Sequence, residues 1–122
     1  MVLKALVVDD DELILQTIVD LFEVNNIKVV GTAENGKEAV EKFESLKPDV
    51  VFLDMMMPEF DGAYGLEHIR KIDSEANVVI ISGAGHAEMD RINEFNPSAV
   101  IHKPFKMSTI LHTLKEKLYL KV

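Results

Sequence analysis

The sequence predicts an α/β domain in which one parallel sheet carries helices on both faces. Two observations support this: five short, near-continuous apolar runs read as buried strands, and five segments with helical apolar spacing alternate with them. Such alternation implies parallel strands joined by right-handed helical crossovers. A single domain spanning residues 1–122 is expected, because the chain falls in the commonest size range and shows no linker, repeat or low-complexity segment.

The first strand is the run 4–8, ending in Leu6, Val7 and Val8 and closed by Asp9, Asp10 and Asp11. Ile14, Ile18, Leu21 and Phe22 then have helical spacing, followed by a strand at 29–33. The turn pair Asn35-Gly36 precedes a helix carrying Ala39, Val40, Phe43 and Leu46, and Pro48 follows its end. A third strand at 50–53 leads, through the turn pair Asp61-Gly62, to a helix with Leu66, Ile69 and Ile72. The fourth strand occupies 78–81, and a shorter helix with Met89, Ile92 and Phe95 precedes Pro97. The last strand, 99–101, is followed by a helix carrying Ile110, Leu111, Leu114 and Leu118.

The composition, 48% hydrophobic and 28% charged, fits a soluble globular chain rather than a disordered or fibrous one. There are no cysteines, which excludes a disulfide framework, a thiol nucleophile and cysteine-ligated metal sites. No secretion signal or membrane-spanning run is read, so the expected location is the cytoplasm, without membrane insertion. The net charge of −8 and the absence of a basic run oppose direct nucleic-acid binding.

In open parallel sheets, ligands bind beyond the carboxyl ends of the strands, where strand order reverses. The predicted strand ends carry Asp9, Asp10 and Asp11, then Asp54, then Ser82, then His102 and Lys103. Converging carboxylates repel unless a positive group joins them, and Asp9, Asp10 and Asp54 offer the hard oxygens that magnesium prefers. A phosphate-handling centre follows, with Lys103 and Ser82 positioned to contact phosphoryl oxygens and Asp54 as the candidate nucleophile.

Four stretches, VVDDDELI, VVFLDMMMPEFDG, VVIISG and VIHKPF, resemble in order and spacing the signature motifs of the response-regulator receiver domain. The resemblance covers almost the whole chain. It implies a doubly wound (βα)5, flavodoxin-like fold with a five-stranded parallel sheet of order 2-1-3-4-5. It implies that Asp54 accepts a phosphoryl group from a phosphohistidine on a sensor histidine kinase or phosphotransfer protein. Asp10 would bind Mg2+ directly, Asp9 through water, and the backbone carbonyl of Met56 would complete the protein ligands. Lys103 and Ser82 would contact the phosphoryl group, and a cis peptide would precede Pro104. Ser82 would trigger repacking of the face formed by the fourth helix, fifth strand and fifth helix, which would then control a protein partner. Such a switch performs only its own phosphorylation and dephosphorylation, and is expected as a monomer, with dimerisation on phosphorylation left open. The kinase, the output partner and the pathway are not encoded in these motifs.

Each residue also has a plainer reading. Aspartates before a helix are often caps, and Asp11 is assigned to that role. The run Met55, Met56, Met57 reads as apolar filling rather than a soft-metal site. His68, His86, His102 and His112 lack tight metal-ligand spacing, and Lys115 and Lys117 read as a solvated face.

The sequence departs from the family pattern at several positions. Met56 and Ala84 stand where the family tunes phosphoryl lifetime, and neither can orient a water, so slow hydrolysis is expected. Val100 replaces a common aromatic residue, which argues against ring-rotation signalling. Gly83 and Gly85 relax the backbone of the loop 82–86, predicting mobility there. Two competing classes are a magnesium-dependent phosphatase, for which the chain has no cap domain, and a receiver-like module that cannot be phosphorylated, which the complete residue set opposes.

Overall fold

A computed structural model describes residues 2–83 and 86–121, with the side chains of 86–88 left aside. Its elements alternate as β1 (Leu3–Val8), α1 (Glu12–Val24), β2 (Ile27–Ala33), α2 (Gly36–Leu46), β3 (Val50–Asp54), α3 (Gly62–Ile72), β4 (Val78–Ser82), α4 (His86–Asn93), β5 (Ala99–His102) and α5 (Met107–His112). A π-helical turn, Thr113–Lys117, continues α5. The five strands form one sheet of order β2-β1-β3-β4-β5, with every neighbouring pair parallel, as expected.

The near-continuous apolar character of the strands has a direct cause: successive side chains point to opposite faces, and both faces are covered. On one side Val51, Leu53, Val78 and Ile80 pack with Ala39 and Phe43 of α2, Leu66 and Ile69 of α3, and Ile92 of α4. On the other, Val50, Phe52, Val79 and Ile81 pack with Leu15, Ile18 and Phe22 of α1 and with Ile110 and Leu114 at the C-terminal helix. Phe22 meets Phe52 edge to face at 4.9 Å, a favoured aromatic geometry.

The helices form as expected, but their rotation about their own axes differs in places. In α1 the buried stripe is Leu15, Ile18 and Phe22, while Ile14 and Leu21 are about two-fifths exposed, at 39% and 41%. The run is apolar on most sides, so spacing alone could not select which stripe meets the sheet. Ile72 likewise ends α3 in solvent. Strand β2 starts earlier than its apolar run suggested, because Lys28 points outward while Ile27 is fully buried.

Asn35-Gly36 and Asp61-Gly62 prove to be helix starts rather than turns. Asn35 accepts from the Glu38 N–H at 2.9 Å and Asp61 from the Tyr64 N–H at 2.9 Å, and each glycine is the first helical residue. Neither glycine is needed for a left-handed backbone, since no described glycine has positive φ. They are needed for close approach. A Cβ on Gly36 would lie 2.4 Å from the Asp61 carbonyl oxygen, and one on Gly62 would lie 2.6 Å from the Asp54 carbonyl oxygen. The cap role given to Asp11 holds: its Oδ1 accepts from the N–H groups of Leu13 and Ile14 at 3.0 and 3.3 Å.

Candidate functional site

The order β2-β1-β3 makes the chain leave β1 in opposite directions for its two neighbours, and the resulting crevice lies at the carboxyl ends of β1 and β3. Val8 of β1 pairs with Leu53 of β3, so the next residues, Asp9 and Asp54, emerge side by side. The Asp9 N–H donates to the Ala33 carbonyl at 3.1 Å, tying this rim to the end of β2. On the other flank Ser82 pairs with His102, and the Lys103 N–H donates to the Ser82 carbonyl at 2.9 Å. The strand ends thereby hold the acidic residues on one rim with the start of the loop that carries Lys103.

One carboxylate oxygen from each of Asp9, Asp10 and Asp54 lies within 4.8 Å of the other two. Oxygens sharing an octahedral magnesium at about 2.1 Å are separated by roughly 3–4 Å, so this donor set fits a small hard divalent cation with little movement. Asp9 and Asp54 are buried, at 3% and 6% exposure, whereas Asp10 faces solvent. Lys103 Nζ is 3.0 Å from Asp54 Oδ1. The peptide bond between Lys103 and Pro104 is cis, as the motif implied.

Burial pushes the Asp54 carboxyl above its ordinary value of 3.8, and the nearby charge of Asp10 adds to this, while the hydrogen bond and charge of Lys103 pull the other way. Burial likewise raises Asp9, helped by the charge of Asp54 and opposed by the Asp11 N–H, which donates to Asp9 Oδ1 at 2.9 Å. The site therefore concentrates negative charge that one lysine only partly offsets. Chemically it can gather a divalent cation and an anionic phosphoryl group around a buried carboxylate oxygen.

Ser82 is fully buried at the end of β4, while His102 is exposed at the end of β5. Met56 projects its side chain into solvent at 60% exposure, between the buried Met55 and Met57. Val100 is partly buried against the α2–α3–α4 side of the core. Ala84 and Gly85, and with them the expectation of a mobile loop at 82–86, lie outside the described residues.

Gly62 was missed as part of the site. It lets the start of α3 close onto the Asp54 backbone, with the Gly62 N–H donating to the Met55 carbonyl at 3.1 Å. Its signal was the Asp61-Gly62 pair, which reads equally as a turn.

The family description "Response regulator receiver domain" matches residues 5–115. The chain is 35% identical over 117 residues to the chemotaxis protein CheY of Bacillus subtilis, covering 94% of this chain and 97% of that protein. It is 40% identical over 127 aligned positions to a protein-glutamate methylesterase/protein-glutamine glutaminase 2 of Methanosarcina mazei, but spans only 34% of that longer protein. Its backbone is similar to that in a crystal structure of a CheX–CheY–BeF3–Mg2+ complex from Borrelia burgdorferi, with a TM-score of 0.87, 27% identity and coverage of 98% and 90% of the two chains. With motif order, strand order and family match in agreement, the chain belongs to the response regulator receiver domain family, of the chemotaxis CheY-like kind.

Proposed function

We propose that this domain is a phosphorylation-driven signalling switch whose phosphoacceptor is Asp54. The observation that carries the reading is the buried Asp54 carboxylate, 3.0 Å from Lys103 Nζ and within one oxygen cluster with Asp9 and Asp10. In the proposed reaction a carboxylate oxygen of Asp54 attacks the phosphorus of a phosphohistidine on a sensor kinase or phosphotransfer protein. The new P–O bond forms as the P–N bond breaks, and the histidine nitrogen leaves with the electron pair. Lys103 moves from the bare carboxylate to a phosphoryl oxygen, and Ser82 supplies a hydroxyl hydrogen bond to another.

Asp9, Asp10, Asp54 and the backbone carbonyl of Met56 would hold Mg2+, with Asp10 binding directly and Asp9 through water. When bound, the ion neutralises charge that develops on the transferring group. The Mg2+ and beryllofluoride named for the Borrelia burgdorferi complex support this assignment.

The phosphoryl group shifts the domain between states through its differential contacts, and the face built by α4, β5 and α5 passes the change to an output protein. Chemistry is confined to the domain's own phosphorylation and slow dephosphorylation, since the Met56 thioether offers water little help. The switch acts in the cytoplasm as a monomer or as a dimer formed on phosphorylation. Among the described residues no helix is long and apolar enough to cross a membrane.

The test is intact mass after incubation with Mg2+ and acetyl phosphate. The wild type is expected to gain one phosphoryl group and Asp54→Asn none. No gain in the wild type, or an equal gain in Asp54→Asn, overturns the assignment.

A further inference from the structure

The three consecutive methionines after Asp54 differ sharply in exposure, at 1% for Met55, 60% for Met56 and 7% for Met57. Among the described residues, the other methionines, Met89 and Met107, are partly buried and packed against the two sides of the core. A thioether is oxidised by peroxide in proportion to its access, and the product sulfoxide is polar, chiral and enzymatically reversible. Met56 thus combines the greatest access with a place two residues from the buried Asp54 carboxylate.

We propose that Met56 is a reversible oxidation site through which peroxide shortens the life of the phosphorylated state. This rests on Asp54 being the phosphoacceptor. In the modifying step the Met56 sulfur attacks one peroxide oxygen, an S–O bond forms as the O–O bond breaks, and the second oxygen leaves as water after taking up the protons. Sulfur loses two electrons and peroxide gains them.

The consequence follows from hydrogen bonding. The thioether is at best a weak acceptor, so in the reduced protein it does little to orient water near Asp54. The sulfoxide oxygen is a strong acceptor on a flexible, exposed side chain two residues from Asp54. In the proposed coupling, a water held by this oxygen near Asp54 attacks the phosphorus, and positioning of this kind accelerates attack. One hydrogen bond of ordinary strength corresponds to roughly a two- to tenfold faster loss of the phosphoryl group.

Two measurements test the proposal on the folded chain. Peptide mapping after dilute hydrogen peroxide should find sulfoxide on Met56 well before Met89 or Met107, and little on Met55 or Met57. Equal or slower oxidation of Met56 overturns it. Phosphoryl loss is then followed by intact mass after acetyl phosphate and Mg2+, with and without peroxide and then with methionine sulfoxide reductase. The expected result is the accelerated loss above, reversed by the reductase. An unchanged lifetime in mapped, oxidised protein overturns the coupling. Met56→Leu should have the same lifetime before and after peroxide, and a peroxide response in that variant assigns the effect elsewhere and rejects Met56. Failure of untreated wild type to take up a phosphoryl group rejects the phosphoacceptor reading, and the coupling with it, independently of the oxidation map.

Discussion

The two ends of the sheet treat their polar groups in opposite ways. At the amino ends of β4 and β5, Arg70 reaches from α3 and donates to the Asn96 carbonyl through Nε and Nη2, to Ser98 Oγ through Nη2 and to the Ala76 carbonyl through Nη1. Ser98 Oγ in turn accepts from the Val78 N–H at 2.9 Å and donates to the Ala76 carbonyl. Donors and acceptors there satisfy one another. At the carboxyl ends, two buried carboxylates and an exposed third crowd around a single lysine. The first end is closed by its own hydrogen bonds, while at the second the carboxylates outnumber the lysine that pairs with Asp54. The contrast separates a polar network closed on itself from one whose negative charge is only partly offset.

The largest expected effect on this contrast is at the closed end. Arg70→Met should cost about 1–3 kcal/mol, because the Ala76 carbonyl and Ser98 lose their donor in a partly buried setting. Urea denaturation measures it, and phosphoryl uptake by Asp54 should be unaffected. A loss within a few tenths of a kcal/mol would remove the distinction between the two ends.

A smaller effect, of opposite sign, is expected at the open end. Asp9→Asn should stabilise the ligand-free domain at neutral pH by about 1 kcal/mol, since a buried charge that is only partly compensated is removed. The Asn side chain can keep accepting from the Asp11 N–H. The folded-state value of Asp9 lies above 3.8, so between the two values the native state holds more protons than the unfolded state. Stability therefore falls as pH rises through that window, and the advantage of Asp9→Asn should vanish below about 3.8. Thermal melts across pH check this. Mg2+ should raise the melting temperature of wild type, by mass action on the folded state, and raise that of Asp9→Asn less.

The smallest effect is expected beside the open end, where Arg91 of α4 bridges to Asp61 Oδ2 at 2.6 Å. Arg91 is 54% exposed, so Arg91→Ala should cost only about 0.2–1 kcal/mol by denaturant midpoint. Asp61 keeps its cap on the Tyr64 N–H through Oδ1, which preserves the start of α3. A larger loss would mean that α4 depends on this bridge more than on the buried Ile92.

The sequence by itself determined the succession of five strands and five helices, the acidic rim of Asp9, Asp10 and Asp54, and the cap at Asp11. These are local properties: apolar period, strand-end polarity and capping chemistry are written within a few residues of each element. Through the four motifs it also assigned Lys103 to the same site as Asp54, 49 positions earlier in the chain.

Only the tertiary structure decided which stripe of α1 is buried, because Ile14 and Leu21 are as apolar as Leu15 and Ile18. It also decided that Gly36 and Gly62 serve close approach. Their neighbours there, the Asp61 and Asp54 carbonyls, belong to other parts of the chain. The same holds for Arg70, whose acceptors lie 6 to 28 residues away and leave no local trace. Met56 became distinct from Met55 and Met57 only when the backbone after β3 turned one thioether into solvent and two into the core. Local chemistry specifies elements, whereas rotation, close approach and exposure depend on how separate segments meet in space, which no local pattern records.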